Sequence, residues 1–361
     1  MISIAQPLVN KKEKELVLEV MDSGMLASGS YVNNFSKKFA DFIGSKYGAA
    51  VSSGTTALHT ALLAAGIGEG DKVLTTPFTF IASSNSILYT GAEPVFVDIK
   101  EDSYNIDPEE IEAALKKDPA IKALLIVHLF GLSCDMDKIM ELVEKYELIL
   151  IEDCAQSHGA EFKGKKAGSF GDLSTFSFYP TKNMTTGEGG MVLTDQEELY
   201  DKAAKIINHG QAKKYLHDSL GYNFRMTNLA AAIGLVQLDK LAAFNQKRIE
   251  NAEFFNQNLA DLKWLKIPSK PANKKHVYHQ YTLRVKDRDQ FAAYLSENGV
   301  GNSIHYPAPV TQQPYYKKLG YGELSFAVTE KVAEEIISIP VHPALSDQEL
   351  EKIVKVIKAY K

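Results

Sequence analysis

The chain reads as an α/β protein: a large domain with a mostly parallel seven-stranded sheet flanked by helices, then a smaller α+β C-terminal domain. Three observations predict this. Short apolar runs alternate with amphipathic stretches from about residue 50 to residue 200. The runs are apolar almost without interruption, as in strands buried on both faces. After about residue 227 the texture changes, and a long segment without proline begins.

The strand candidates, in order, are Ala49–Val51, Lys72–Thr76, Pro94–Asp98, Ala123–His128, Leu148–Glu152, Leu173–Phe178 and Met191–Thr194. Several are bounded by Gly, Pro or Asp. Among the stretches between them, Asp107–Lys117 carries clear helix marks: Asp107 can cap, Pro108 suits the first helical position, and Glu109 and Glu110 favour the positive end of the dipole. Thr227–Leu259 contains one glycine, Gly234, and no proline, which predicts a long helix. Val277–Val285 and Gly301–His305 read as strands, and Pro307, Pro309 and Pro314 mark a loop. Ser346–Tyr360 reads as a helix opened by a capping box of Ser346 and Glu349. The division is placed near residue 245, giving a large domain over 1–245 and a small one over 246–361.

A length of 361 residues suits about two domains. The net charge of -5, from 40 basic and 45 acidic residues, argues against nucleic acid or an anionic membrane as a partner. Cys134 and Cys154 form no C-x-x-C pair and are too few for a disulfide framework. The first residues lack the basic and apolar regions of a signal peptide, and no apolar run approaches the roughly 18–20 residues of a membrane span. A cytoplasmic enzyme is expected.

Four stretches carry chemistry. In Ser52-Ser53-Gly54-Thr55-Thr56, glycine and hydroxyl residues open a helix after a strand, where free N–H groups can meet a phosphate. The bland reading of the same residues is a plain helix cap. Thr76-Pro77-Phe78-Thr79-Phe80 can set an aromatic ring against a flat ligand, although a core phenylalanine is commoner. Ile149–Glu152 is an apolar strand ending in Asp153, and ligands of open α/β sheets bind beyond such ends. A carboxylate there can keep a pyridine nitrogen protonated. Asp153 with His158 invites a metal reading, but no third ligand has a fitting spacing, so no metal is expected. Finally, the strand ending near Phe178 delivers Ser177, and the following turn presents Lys182 ahead of Gly187, Gly189 and Gly190. A lysine amine of lowered pKa forms a Schiff base with an aldehyde, whereas most lysines are solvated charges. Lys163, Lys165 and Lys166 read as such a solvated turn.

In this order the four stretches make the parts of a site for pyridoxal 5'-phosphate: phosphate cup, stacking ring, pyridinium carboxylate, and Ser with Lys on one turn. The chain resembles the DegT/DnrJ family of sugar aminotransferases, a branch of the aspartate-aminotransferase-like (type I) fold of PLP enzymes. The likeness runs from about residue 3 to the C-terminus, through SSGTTALHTAL, TTPFTFIASSNSILYTGAEPVFVDI, IEDCAQSHGA, GSFGDLSTFSFYPTKNMTTGEGGMV and GYNFRMTNLAAAIGLVQL. It implies that Lys182 is the Schiff-base lysine, that Asp153 partners the ring nitrogen, and that Gln156 donates to the cofactor's 3-oxygen. It places Phe80 where the family stacks a ring, often Trp or Tyr, and assigns the phosphate to Thr55, Thr56 and Ser177. Asn223 matches the asparagine that reaches the phosphate from a neighbouring subunit, which implies a homodimer with shared sites.

The reaction implied is ping-pong transamination, with an amino acid such as glutamate as donor and a keto-sugar joined to a nucleotide diphosphate as acceptor. The product would feed amino-sugar or cell-surface polysaccharide synthesis. Lys182 speaks against a sugar 3-dehydratase, since such relatives carry His at that position. A free cyclitol ketone is the alternative acceptor, and a PLP-binding regulator without turnover is the alternative from another class. A nicotinamide-binding Rossmann protein lacks its G-x-G-x-x-G here. The loops Met25–Tyr31 and His305–Tyr315 are expected to shape the acceptor site.

Overall fold

The computed structural model describes residues 1–360. Its central sheet contains β1 (Tyr47–Val51), β2 (Lys72–Thr75), β3 (Glu93–Phe96), β4 (Ile121–Val127), β5 (Ile149–Asp153), β6 (Leu173–Ser177) and β7 (Gly190–Thr194). The spatial order is β1-β7-β6-β5-β4-β2-β3. β7 runs antiparallel to both its neighbours, and every other pairing is parallel. All seven strands lie within two residues of the ends expected from sequence.

Eight helices frame or adjoin this sheet: α1 (Lys11–Ser23), α2 (Ser30–Ile43), α3 (Gly54–Ala64), α4 (Ala82–Tyr89), α5 (Pro108–Lys117), α6 (Met136–Lys145), α7 (Glu197–Ile206) and α8 (Asn228–Leu259). Alternation along β4 shows how the layers form. Ala123, Leu125 and Val127 join α3 and α7 in one core, while Leu124 and Ile126 join α5 and α6 in another. Phe35 and Phe39 of α2 pack with Phe176, Met191 and Leu235 to close the β1 end. The expected caps are present: Asp107 accepts the Glu109 amide at 3.0 Å, and the Thr227 hydroxyl accepts the Ala230 amide at 3.2 Å. Ser346 and Glu349 complete their capping box before the helix Asp347–Lys358.

Beyond the sheet domain, Leu265–Lys266, Tyr281–Val285 and Ile336–Ile339 form an antiparallel sheet. This corrects two readings from sequence. Only Tyr281–Val285 of the Val277–Val285 run is strand, because the Val277 and Gln280 amides turn to the carbonyls of Gly131 and Phe130. Gly301–His305 contributes only a bridge from Ser303 to Ser338, and the remaining strand comes from Ile336–Ile339 instead. Residue 245 lies inside α8. Ala231, Leu235 and Leu241 of that helix belong to the α2 core, whereas Ala252, Phe255 and Leu259 belong to the core of the small sheet. Among the described residues no helix is long and apolar enough to cross a membrane.

Candidate active site

The site lies where the parallel strands end. After β1, Ser53 caps α3 by accepting the Thr56 amide at 3.1 Å. The Thr56 hydroxyl answers by accepting the Ser53 amide at 3.0 Å and donating to the Ser53 carbonyl at 2.9 Å. The first regular helical bond runs from the Ala57 amide to the Ser53 carbonyl, so the amides of Gly54 and Thr55 precede the ladder. A Cβ on Gly54 would stand 2.6 Å from the Ser177 Cβ, so glycine lets α3 close on the end of β6.

These groups edge a cavity of about 650 Å³. Thr55, Phe80, Asp153, Gln156, Ser177 and Lys182 all line it. Two residues named from sequence do not. Thr56 stands behind the rim, its hydroxyl committed to the cap. Asn223 is exposed on a segment beside the end of β1, where the Ser52 amide meets the Phe224 carbonyl at 2.8 Å. The Met25–Tyr31 loop also stays off the cavity lining, whereas His305 and Tyr306 of the later loop stand on it.

Asp153 ends β5 and is buried. It accepts the Ser83 hydroxyl at 2.8 Å and the Ala155 amide at 3.0 Å. Burial pushes its carboxyl above the usual range, against the pull of those donors and of Lys182. Lys182 sits on a turn closed by its amide and the Tyr179 carbonyl. Burial lowers its ammonium to about 8, while the charge of Asp153 works the other way. Gln156 is held in one orientation: its Oε1 accepts the Phe130 amide at 2.8 Å and its Nε2 donates to Tyr306 Oη at 3.0 Å, leaving one N–H. The Phe80 ring is 57% exposed, so its face stays open at the rim.

Ser83, His279 and Tyr306 were not named from sequence. Asn183 donates to Asn245 Oδ1 at 2.8 Å and to the Val277 carbonyl at 3.1 Å, so its own Oδ1 must accept. The His279 proton therefore lies on Nδ1, 3.2 Å from that oxygen. The signal for these residues is weak: a serine in a helical turn, and a histidine and tyrosine near a Pro-rich loop.

One layer below, His128, Glu152 and Cys154 lie together and buried. The lone pairs of Glu152 and His128 are occupied. Glu152 accepts from His128 Nε2 and from the amides of Gly168, Phe170 and Gly171, all within 2.8 Å. His128 Nδ1 accepts the Cys134 amide at 3.0 Å. His158 packs against Phe39, Phe176 and Phe178, and burial lowers it to about 3. Lys163 pairs with Asp137 at the surface, and Lys165 and Lys166 lie over Phe170 and Phe42, as expected of a basic turn.

A lysine of lowered pKa and a buried acid share an open cavity at the carboxyl ends of parallel strands. Ligands of open α/β sheets bind at such a place. The chain belongs to the DegT/DnrJ/EryC1/StrS aminotransferase family, whose profile matches residues 7–358. A pleiotropic regulatory protein of Geobacillus stearothermophilus is 39% identical over 95% of this chain and 92% of its own. GDP-perosamine synthase of Escherichia coli O157:H7 is 38% identical over 99% of this chain and 98% of its own. The structure of S. venezuelae DesV in complex with a ketimine intermediate superposes with a TM-score of 0.93 at 33% identity, covering 96% of this chain and 94% of that one.

Proposed function

We propose that this aminotransferase carries pyridoxal 5'-phosphate on Lys182 and moves an amino group from an amino acid, glutamate first among them, to a keto-sugar joined to a nucleotide diphosphate. The observation that carries the reading is the meeting of Lys182 and buried Asp153 in one cavity whose far edge is the N-terminus of α3. The cofactor, when bound, supplies an electron sink.

The residues fit that group. The Gly54 and Thr55 amides, with the Thr55 and Ser177 hydroxyls, suit a phosphate at the positive end of a helix. Asp153, short of donors and pushed up by burial, would accept a pyridine N–H and hold it protonated. The remaining Gln156 N–H suits the ring's 3-oxygen, and Phe80 covers one ring face. Lys182 would be the group that takes and returns the proton, a role typically worth about 10²–10⁴-fold. Homologues named for GDP-, UDP- and dTDP-linked amino sugars support a nucleotide-linked acceptor.

Assembly follows from Asn223. It is exposed near a hollow of about 490 Å³ lined by Val17, Met21, Met226 and Leu229, which shares Ser52 and Glu188 with the main cavity. Such an apolar hollow at the cavity mouth suits a second copy of the chain, with Asn223 of each completing the phosphate site of the other. We place the enzyme in the cytoplasm.

The test is direct. The purified protein is expected to be yellow, to bleach with glutamate, and to regain colour with one member of a panel of nucleotide-linked keto-sugars. A protein that binds no PLP overturns the reading. One that is recoloured only by a cyclitol ketone moves it to the alternative acceptor. Mixing Lys182→Ala and Asn223→Ala chains should restore activity above either parent, because one site of the mixed dimer carries neither defect. Mixed dimers that recover nothing overturn the shared site.

A further inference from the structure

Three serines stand in α4, and their hydroxyls go different ways. Ser84 and Ser86 donate to the carbonyls of Ile81 and Ser83, at 3.2 and 2.8 Å. That is the ordinary outlet for a serine in a helix. Ser83 instead leaves its helix and donates to Asp153 Oδ2 at 2.8 Å. Its oxygen lies 2.9 Å from the Thr79 hydroxyl. A hydroxyl has one proton, and an ionised carboxylate only accepts, so the Ser83 proton is committed and Thr79 is the donor in the second bond. The order Thr79, Ser83, Asp153 therefore runs one way, and each bond polarises the next. Both hydroxyl residues are buried, and both line the main cavity.

This chain joins two walls of the site. Thr79 and Ser83 flank Phe80, and the Ser83 amide donates to the Phe80 carbonyl at 3.1 Å. The turn that carries the ring and the strand that carries the acid are thus tied together. Around Asp153, α4 brings hydroxyls and no charge. The charges that act on the acid are Lys182, on its turn, and His128, just past β4. Tyr306 presents a hydroxyl that burial keeps neutral. Ser83 holds one carboxylate oxygen and the Ala155 amide holds the other.

We propose that Ser83 and Thr79 are positioning residues for the cofactor's ring nitrogen, acting through Asp153. The inference rests on the PLP reading above. A donor on the carboxylate favours its ionised form, so a proton shared between acid and ring stays on the ring. Without Ser83, Oδ2 loses its donor, the proton moves toward the carboxyl, and the ring loses charge. Thr79 strengthens the Ser83 bond from behind.

The test has two readouts, neither of them turnover. The first is the nitrogen-15 resonance of ring-labelled PLP on the loaded protein, which reports the ring proton. It should lie at the protonated position in wild type and move toward the neutral one in Ser83→Ala. The second is calorimetric binding to cofactor-free protein of two probes that cannot react with an amine. They are 4'-deoxypyridoxine 5'-phosphate and its analogue with C–H in place of the ring nitrogen. Wild type should prefer the nitrogen ring by about tenfold, and Ser83→Ala should lose most of that preference through weaker binding of the nitrogen ring alone. Thr79→Val, which keeps the shape without the donor, should lose about threefold, and Thr79→Ser should behave as wild type. A serine that only braces α4 would lower the melting temperature and weaken both probes alike. That result, or an unmoved resonance in Ser83→Ala, overturns the proposal. If Ser83→Ala does not fold, Thr79→Val against Thr79→Ser decides on the same readouts. A wild type that binds neither probe overturns the PLP reading itself, whereas variants that keep the wild-type preference overturn the positioning role alone.

Discussion

Glu152 and Asp153 are adjacent, both buried and both acidic, yet they stand on opposite sides of β5 in opposite conditions. Glu152 has four N–H donors, from His128 and the Gly168–Gly171 turn, and these hold its carboxyl below the usual range in spite of burial. Asp153 has two donors and stands above its usual range. Alternation along a strand put one acid against a closed turn and the other against an opening. A buried acid that the protein saturates belongs to the architecture. One left short of donors beside a cavity is available to a ligand.

The comparison can be broken in three ways. The largest effect is expected at Lys182, the other charged wall of the open side. Lys182→Ala should fold as wild type by circular dichroism and lose turnover by at least about 10³-fold, within the range of positioned proton transfer. Multiple turnovers near the wild-type rate would place the reactive amine elsewhere.

The second test exchanges the two acids for their amides. Glu152→Gln should cost about 3–5 kcal/mol in urea unfolding, since it breaks a buried polar network, while activity per folded molecule changes little. Asp153→Asn should leave stability within about 1 kcal/mol and lower turnover and PLP retention by roughly 100-fold. If the stability loss falls on Asp153 and the activity loss on Glu152, the division between the two sides is wrong.

The smallest effect is a pH profile. A lysine attacks an aldehyde only as the neutral amine, and burial lowers Lys182 from the ordinary 10.5 to about 8. Colour development from cofactor-free protein and PLP should therefore quicken about tenfold per unit up to pH 8 and then level off. An unperturbed lysine would keep gaining rate beyond pH 10. Removing the negative charge in Asp153→Asn should lower the Lys182 pKa further and move the plateau to lower pH.

Much of this was legible in the sequence, for physical reasons. Doubly buried strands of a parallel sheet show as continuous apolar runs, and Asp107, Thr227 and Ser346 mark helix starts by short-range bonds. Lys182 and Asp153 stand at strand ends, where topology alone gives them meaning. Thr55 and Thr56 could not be told apart from composition. Which hydroxyl faces the cavity depends on the cap with Ser53. Ser83, His279 and Tyr306 bond to partners between 70 and 150 positions away, and no local pattern encodes that. The Gly301–His305 run failed as a strand because its neighbour Ile336–Ile339 pairs mainly with Tyr281–Val285.

Helix α8 has a mechanical consequence. Its 32 residues span about 48 Å and are rooted in two cores, with Asn245 and Arg248 on the stretch between. A stiff rod of this kind transmits torque and offers no pivot, so the two cores turn together or not at all. The exposed ring of Phe80 and the loop carrying His305 and Tyr306 stand on the cavity lining, outside this rod. The bond from Asn183 to Asn245 at 2.8 Å ties the turn of Lys182 to this rod, so that turn is fixed to the helix that joins the two cores.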